Sequence, residues 1–151
     1  MLRERLNESL KVAMKAKDSR RVSTLRLILA ALKDRDIAAR GKGETEEVGD
    51  EQILQMLATM VRQRRDSIAQ YEQGGRVDLA EQEQEEITII EDFMPRQLSE
   101  DEVRRAAETL VTELGATGVK DMGRVMGEIK KRYTGQLDMG KASAVVKELL
   151  S

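Results

Sequence analysis

The sequence predicts an all-α protein, with an N-terminal four-helix unit joined by a proline hinge to a C-terminal three-helix tail. Three observations lead there. Hydrophobic residues make up 40% of the chain, dominated by Leu, Ile, Val, Ala and Met, while aromatics are only 2%. Strands draw on β-branched and aromatic residues, and this mixture favours helix instead. Apolar residues then recur at helical spacing in successive segments separated by glycine or capping residues. Finally, the only proline, Pro95, and the only phenylalanine, Phe93, fall in one stretch, IIEDFMPRQLSEDE. Proline cannot continue a helix and pushes its predecessor toward extended backbone. Just beyond it, Ser99 and Glu102 have the spacing of a capping box, and Leu98 and Val103 that of a hydrophobic staple. Pro95, Ser99 and Glu102 therefore mark the hinge, with domains at residues 1–94 and 95–151.

In chain order, Leu2, Leu6, Leu10 and Ala13 predict a first amphipathic helix to about Lys17. Asp18 or Ser19 caps a second, reaching about Arg40. Its apolar residues Val22, Leu25, Leu29 and Leu32 are widened by Leu27, Ala30, Ala31 and Ile37, which suits a central position in a bundle. Gly41, Gly43 and Gly49 punctuate a polar loop. Asp50 is the candidate cap of a third helix with the stripe Ile53, Leu57, Met60, Val61, Ile68 and Tyr71. Gly74 and Gly75 end it. Asp78 with Glu81 opens a fourth helix, expected to run to Met94 on Leu79, Ile87, Ile90 and Phe93. Beyond the hinge, Val103, Ala107, Leu110 and Leu114 give a fifth helix closed by Gly115. Asp121 is the candidate cap of a sixth, with Met122, Val125, Met126 and Ile129 inward. Asp138 caps a seventh, with Ala142, Val145, Val146 and Leu149 inward.

The chain has no cysteine and no histidine. That excludes disulfides, thiol nucleophiles, Cys/His zinc sites and Ser-His-Asp chemistry within it. No catalytic residue, metal or cofactor is expected. The net charge of −2 provides no global basic field. Charge is nevertheless segregated: residues 1–40 and 120–141 are basic, 72–92 acidic. With no secretory signal and no bilayer-length apolar run, the expectation is a cytoplasmic protein with no membrane partner.

Several charged residues break the helical pattern. At about 100° per residue, Arg64 falls inside the apolar stripe of the third helix, and Glu83 and Glu86 inside that of the fourth. An unpaired buried charge is costly, so these point to an ion pair between helices or to an anion site. An antiparallel hairpin of the two helices whose paired positions sum to 150 matches Tyr71 with Leu79, Met60 with Ile90 and Leu57 with Phe93. It also sets Arg64 opposite Glu86. Glu81 and Glu85 read as a solvated face rather than ligands for a hard cation. Arg20, Arg21, Arg26, Arg62 and Arg65 form either a basic patch or ordinary surface charges. The run GQLDMGKA, from Gly135 to Ala142, resembles a phosphate-binding loop but has Ala142 where Ser or Thr should hold magnesium. Gly123 and Gly127 lie within the sixth helix beside Lys130 and Lys131. There they serve either close helix packing or the approach of a phosphate backbone.

Two long runs carry a family resemblance. QRRDSIAQYEQGGRVDLAEQEQEEITIIEDFMPRQLSEDE is similar to the signature of the YqeY-like (GatB/YqeY) family. DMGRVMGEIKKRYTGQLDMGKASAVVKELL resembles the tail that family shares with the B subunit of the glutamine-dependent aminoacyl-tRNA amidotransferase. The usual aromatic-Leu-Pro is here Phe93-Met94-Pro95. The resemblance implies the four-plus-three helical plan, with a tail involved with tRNA. It implies no catalytic part in this chain, although the family often carries the label of carbon–nitrogen ligase with glutamine as amido-N-donor. The expected function is a non-catalytic accessory protein binding tRNA or an aminoacyl-tRNA-handling enzyme of amidotransferase type. The alternatives are a component contributing to such a ligase and a general protein-interaction module. The expected RNA surface is Gly123, Gly127, Lys130, Lys131 and Lys141.

Overall fold

A computed structural model of the protein describes residues 1–43 and 47–151. Within those residues there are seven α-helices, one turn of 3-10 helix and no strand. They are α1 (Leu2–Ala16), α2 (Ser19–Gly41), α3 (Asp50–Gln73), α4 (Val77–Glu91), α5 (Glu100–Glu113), α6 (Met122–Tyr133) and α7 (Met139–Leu150), with the 3-10 turn at Val119–Asp121. The chain divides into two compact units, Met1–Met94 and Pro95–Ser151. The first holds α1–α4 and the second α5–α7. The middle of the glycine-punctuated loop, 44–46, lies outside the described residues.

In the first unit α2 packs against α1, α3 and α4. Leu6, Leu25, Ile28, Ile53, Leu57, Ile87 and Ile90 are essentially solvent-free, and Phe93 closes the same core. Each fully buried aliphatic side chain stabilises by about 1.5–3 kcal/mol. The periodicity misjudged α2 in one respect. Leu27 and Ile37, expected to widen its buried face, are 50% and 54% exposed, while Ile28 is fully buried. A helix with apolar residues on every side does not reveal from sequence which side its neighbours will cover.

Helix ends follow local chemistry. Asp18 accepts from the Arg21 amide at 3.2 Å and caps α2. Asp50 is not the cap of α3; that place is taken by Gly49. The Asp50 carboxylate instead accepts from the Leu2 amide at 3.2 Å and so caps α1 from a different helix. Asp78 likewise does not open α4. The helix starts at Val77 after Arg76, and the Asp78 carboxylate is held by the Arg76 guanidinium at 3.2 Å. A stronger donor within reach outcompetes a backbone amide. Nor does α4 reach Met94. It ends at Glu91, and the amides of Asp92, Phe93 and Met94 turn to carbonyls three residues back. That is the tighter pattern common at helix ends, immediately before Pro95.

Among the described residues three helices close with the same C-terminal motif, in which one amide reaches five residues back and its predecessor three. After α3 the pivot is Gly75 (φ 72°), and after α5 it is Gly115 (φ 63°). After α1 it is Lys17 (φ 56°), the only non-glycine residue with positive φ among those described.

In the second unit, Val103, Ala107, Leu110, Val125, Ile129, Ala142 and Val146 form the core. Ser99 Oγ accepts from the Glu102 amide at 3.2 Å, and Glu102 Oε1 from the Ser99 amide at 3.1 Å. Arg96 adds two bonds to the Glu102 carboxylate, at 2.9 and 2.8 Å. The segment after Pro95 is fixed to its own unit: the Leu98 amide donates to Gln136 O at 2.7 Å, and Gln97 Nε2 to Gly135 O at 2.6 Å.

Candidate nucleic-acid interface

Helix α6 buries Val125 and Ile129 among α5 and α7 and turns Gly123, Gly127, Lys130 and Lys131 to solvent. Gly123, Gly127 and Lys130 share a flank at about 100° per residue, with Lys131 beside them. A Cβ added to either glycine would meet nothing within 4 Å. The glycines therefore do not serve close helix packing within the unit. Other cations of the helix are taken: Arg124 meets Asp121 at 3.2 Å, and Arg132 meets both Glu113 and Glu128 at 2.9 Å. Among the described residues neither Lys130 nor Lys131 has an ion-pair partner. Their place in the last turn also suits the helix dipole.

Lys141 is exposed in the first turn of α7. The Asp138 carboxylate caps that helix, accepting from the Gly140 amide at 2.7 Å and the Lys141 amide at 3.3 Å. It fills the position an anion would need, so GQLDMGKA is an interhelical turn and not a phosphate cradle. Asp121 departs from expectation: its side chain makes no cap for α6 and accepts instead from the Thr117 amide at 2.9 Å. It is thereby drawn below the usual carboxylate range.

In the first unit the charged residues of the apolar stripes meet. Arg64 Nε donates to Glu86 Oε2 at 3.0 Å and lies 3.9 Å from Glu83. The side chains of Arg64 and Glu86 are only 14% and 13% exposed, so each needs a counter-charge; Arg20 also lies 3.9 Å from Glu86. Burial, reinforced by the neighbouring Glu86 charge, pushes the Glu83 carboxyl up, against the pull of Arg64. The five arginines of the possible basic patch are largely occupied. Arg20 reaches Glu85 at 3.1 Å, Arg21 reaches Asp92 at 2.8 Å, and Arg65 lies 3.8 Å from Glu91. Arg26 and Arg62 stay exposed. Among the described residues no group of three or more acidic side chains is arranged to hold a metal ion.

One cluster escaped the sequence reading. Arg3 grips Asp36 with two bonds, at 2.8 and 3.0 Å, donates to Val48 O at 3.0 Å and lies 3.2 Å from Glu47. Asp36 also accepts from the Val48 amide at 3.2 Å. The Arg3 guanidinium holds the Asp36 carboxyl below its usual range. The signal was present. Asp36 lies between Leu32 and Ala39 on the buried side of α2, the same anomaly that marks Arg64.

A family profile described as "Yqey-like protein" matches residues 3–150. The chain is similar to "Altered inheritance of mitochondria protein 41, mitochondrial" of Kluyveromyces lactis, 32% identical over 142 residues, covering 91% of this chain and 75% of that one. The protein of that name from Saccharomyces cerevisiae is 33% identical over 130 residues, 82% of this chain and 68% of its own. The one from Lachancea thermotolerans is 34% identical over 111 residues, 72% of this chain and 57% of its own, so the match spans little more than half of that relative. These names overturn the expectation of a cytoplasmic protein. The features behind that expectation, no secretory signal and no bilayer-length run, do not single out the cytosol. With a profile match over nearly its whole length, the chain belongs to the YqeY-like family.

Proposed function

We propose that this chain is a non-catalytic accessory protein that binds tRNA through Gly123, Gly127, Lys130 and Lys131 of α6, with Lys141 at the start of α7. The observation that carries the reading is the pair of glycines in open space beside lysines without ion-pair partners. The helix dipole accounts for the lysines alone. It leaves unexplained Gly127, which costs about 1 kcal/mol in the helix interior, and the bare first turn at Gly123. A bare helical flank lets a phosphate backbone come close, and lysines beside it neutralise the phosphates. The chain has no tryptophan, one phenylalanine and two tyrosines, so recognition rests on shape and backbone rather than on stacked bases. The family resemblance directs the choice of RNA to tRNA, or to tRNA held by an amidotransferase-type enzyme. The same reading keeps Pro95, with the Ser99–Glu102 box, as the hinge between the four-helix unit and the tail.

Titrating labelled tRNA at increasing salt tests it. Wild type should bind with an affinity that falls steeply as salt rises. Lys130→Ala with Lys131→Ala should weaken binding and flatten the salt slope by about one unit or less per lost contact. An unchanged slope and affinity would mean that the face is wrong. A wild type that does not bind at low salt removes the RNA reading altogether. Amide formation from glutamine by the isolated chain would establish the carbon–nitrogen ligase alternative instead.

A further inference from the structure

The end of α1 and the beginning of α2 enclose an open groove of about 720 Å³. Met14, Val22 and Leu27 supply its apolar lining, and Lys17 and Arg26 its charge. Met14 and Leu27 are each 50% exposed. Among the described residues no carboxylate lines the groove. The adjacent Asp18 is occupied in capping α2, and among the described residues neither Lys17 nor Arg26 has an ion-pair partner. Lys11, one turn before Met14 on the same face, adds a further exposed cation.

Lys17 is also in an unfavourable place. It is the pivot of a motif that α3 and α5 build with Gly75 and Gly115, the residue that adopts a left-handed backbone without steric cost. Nothing in the fold of α1 requires a lysine there. What the lysine provides is a cation at the lip of the groove.

We propose that the α1–α2 groove seats an acidic amphipathic helix of a partner protein. The apolar ridge of that helix enters beside Met14 and Leu27, and its flanking Asp or Glu side chains meet Lys17 and Arg26. A helix presents such a ridge at positions i, i+3, i+4 and i+7. An anionic bilayer offers the same charge, and the vesicle arm of the test below separates it from a helix. Methionine in the lining adapts to whichever side chains the ridge carries. The inference uses only the first unit and is independent of the RNA reading.

The test uses the full chain and a labelled helical peptide with a Leu ridge flanked by glutamates. A second peptide has lysines in place of the glutamates, and anionic phospholipid vesicles provide a third arm. The glutamate peptide should bind at low salt and compete with no vesicle binding, and the lysine peptide should bind at least about tenfold more weakly. Arg26→Glu should reverse that preference. Lys17→Gly is the decisive variant, because it cannot act by unfolding the protein. It should raise Tm by relieving the left-handed lysine, yet weaken the glutamate peptide by about threefold, the scale of one exposed ion pair. The proposal is overturned if the two peptides bind alike, if neither binds, if vesicles bind instead, or if Lys17→Gly leaves affinity unchanged.

Discussion

Helices α4 and α6 treat charge in opposite ways. Most acids of α4 are used within the unit: Glu85, Glu86 and Glu91 of the helix, with Asp92 just after it, take Arg20, Arg21, Arg64 and Arg65 from α2 and α3. The cations of α6 are divided. Arg124 and Arg132 have carboxylate partners, whereas Lys130 and Lys131 have none among the described residues. The two helices are similarly conspicuous as charge runs in the sequence. The difference teaches that charge counted along a chain is not charge available to a partner. It becomes available only where the surrounding helices fail to supply the counter-ion.

The comparison breaks most easily at Arg64. If α4 acids are committed to structure, Arg64→Met should destabilise the protein by up to about 3 kcal/mol, because it leaves the largely buried Glu86 with only Arg20, 3.9 Å away, as counter-ion. Combining it with Glu86→Leu should recover most of that loss, since an apolar pair of similar size needs no counter-ion. Urea unfolding of the three proteins measures both. A single variant indistinguishable from wild type would mean that α4 is no more committed than α6.

A smaller effect of opposite sign is expected on α6. Gly127→Ala should stabilise the protein by about 1 kcal/mol, because alanine is the better helix former and its Cβ would meet nothing within 4 Å. A lower melting temperature would show that this flank is covered rather than open.

The smallest effect sharpens the contrast through two carboxylates. Glu102 is held well below its ordinary 4.5, at about 2, first by Arg96 and then by the Ser99 amide. Its contribution is complete above about pH 4.5 and is lost as pH falls toward 2. Glu83 is pushed up instead, by burial first. The folded state then binds its proton more readily than the unfolded one, so its ionisation opposes folding and acidification relieves it. Glu102→Gln should be less stable than wild type at neutral pH and converge with it near pH 2. Glu83→Gln should be at least as stable as wild type at neutral pH, and that difference should shrink as pH falls. Chemical unfolding of both variants across that range distinguishes them.

Much of this was legible in the sequence, and for a definite reason. Helical periodicity is a property of each segment alone, so seven stripes could be read without knowing their neighbours. Arg64 stood out because it interrupted such a stripe, and a register summing to 150 sets it opposite the glutamate that lies 3.0 Å away. The capping residues were less legible. Asp50, Asp78 and Asp121 all have the right type near a helix start, but each carboxylate goes to another donor. Which donor wins depends on what folding brings within reach. Leu27 and Ile37 failed for the same reason, since burial on α2 is decided by α1, α3 and α4 together. On α6 the sequence left close helix packing and the approach of a phosphate backbone open for Gly123 and Gly127, and the empty space around them removes packing within the unit.

The bond from the Leu2 amide to Asp50 has a temporal side. The chain is synthesised from the N-terminus, so α1 emerges while the residue that caps it is still 48 positions away. A short helix without its cap is marginal in water. Closing a loop of that length must come before the cap can contribute. The first turn of α1 therefore cannot be completed as a local event during synthesis. It waits for α3, so the cap of α1 forms in a long-range step.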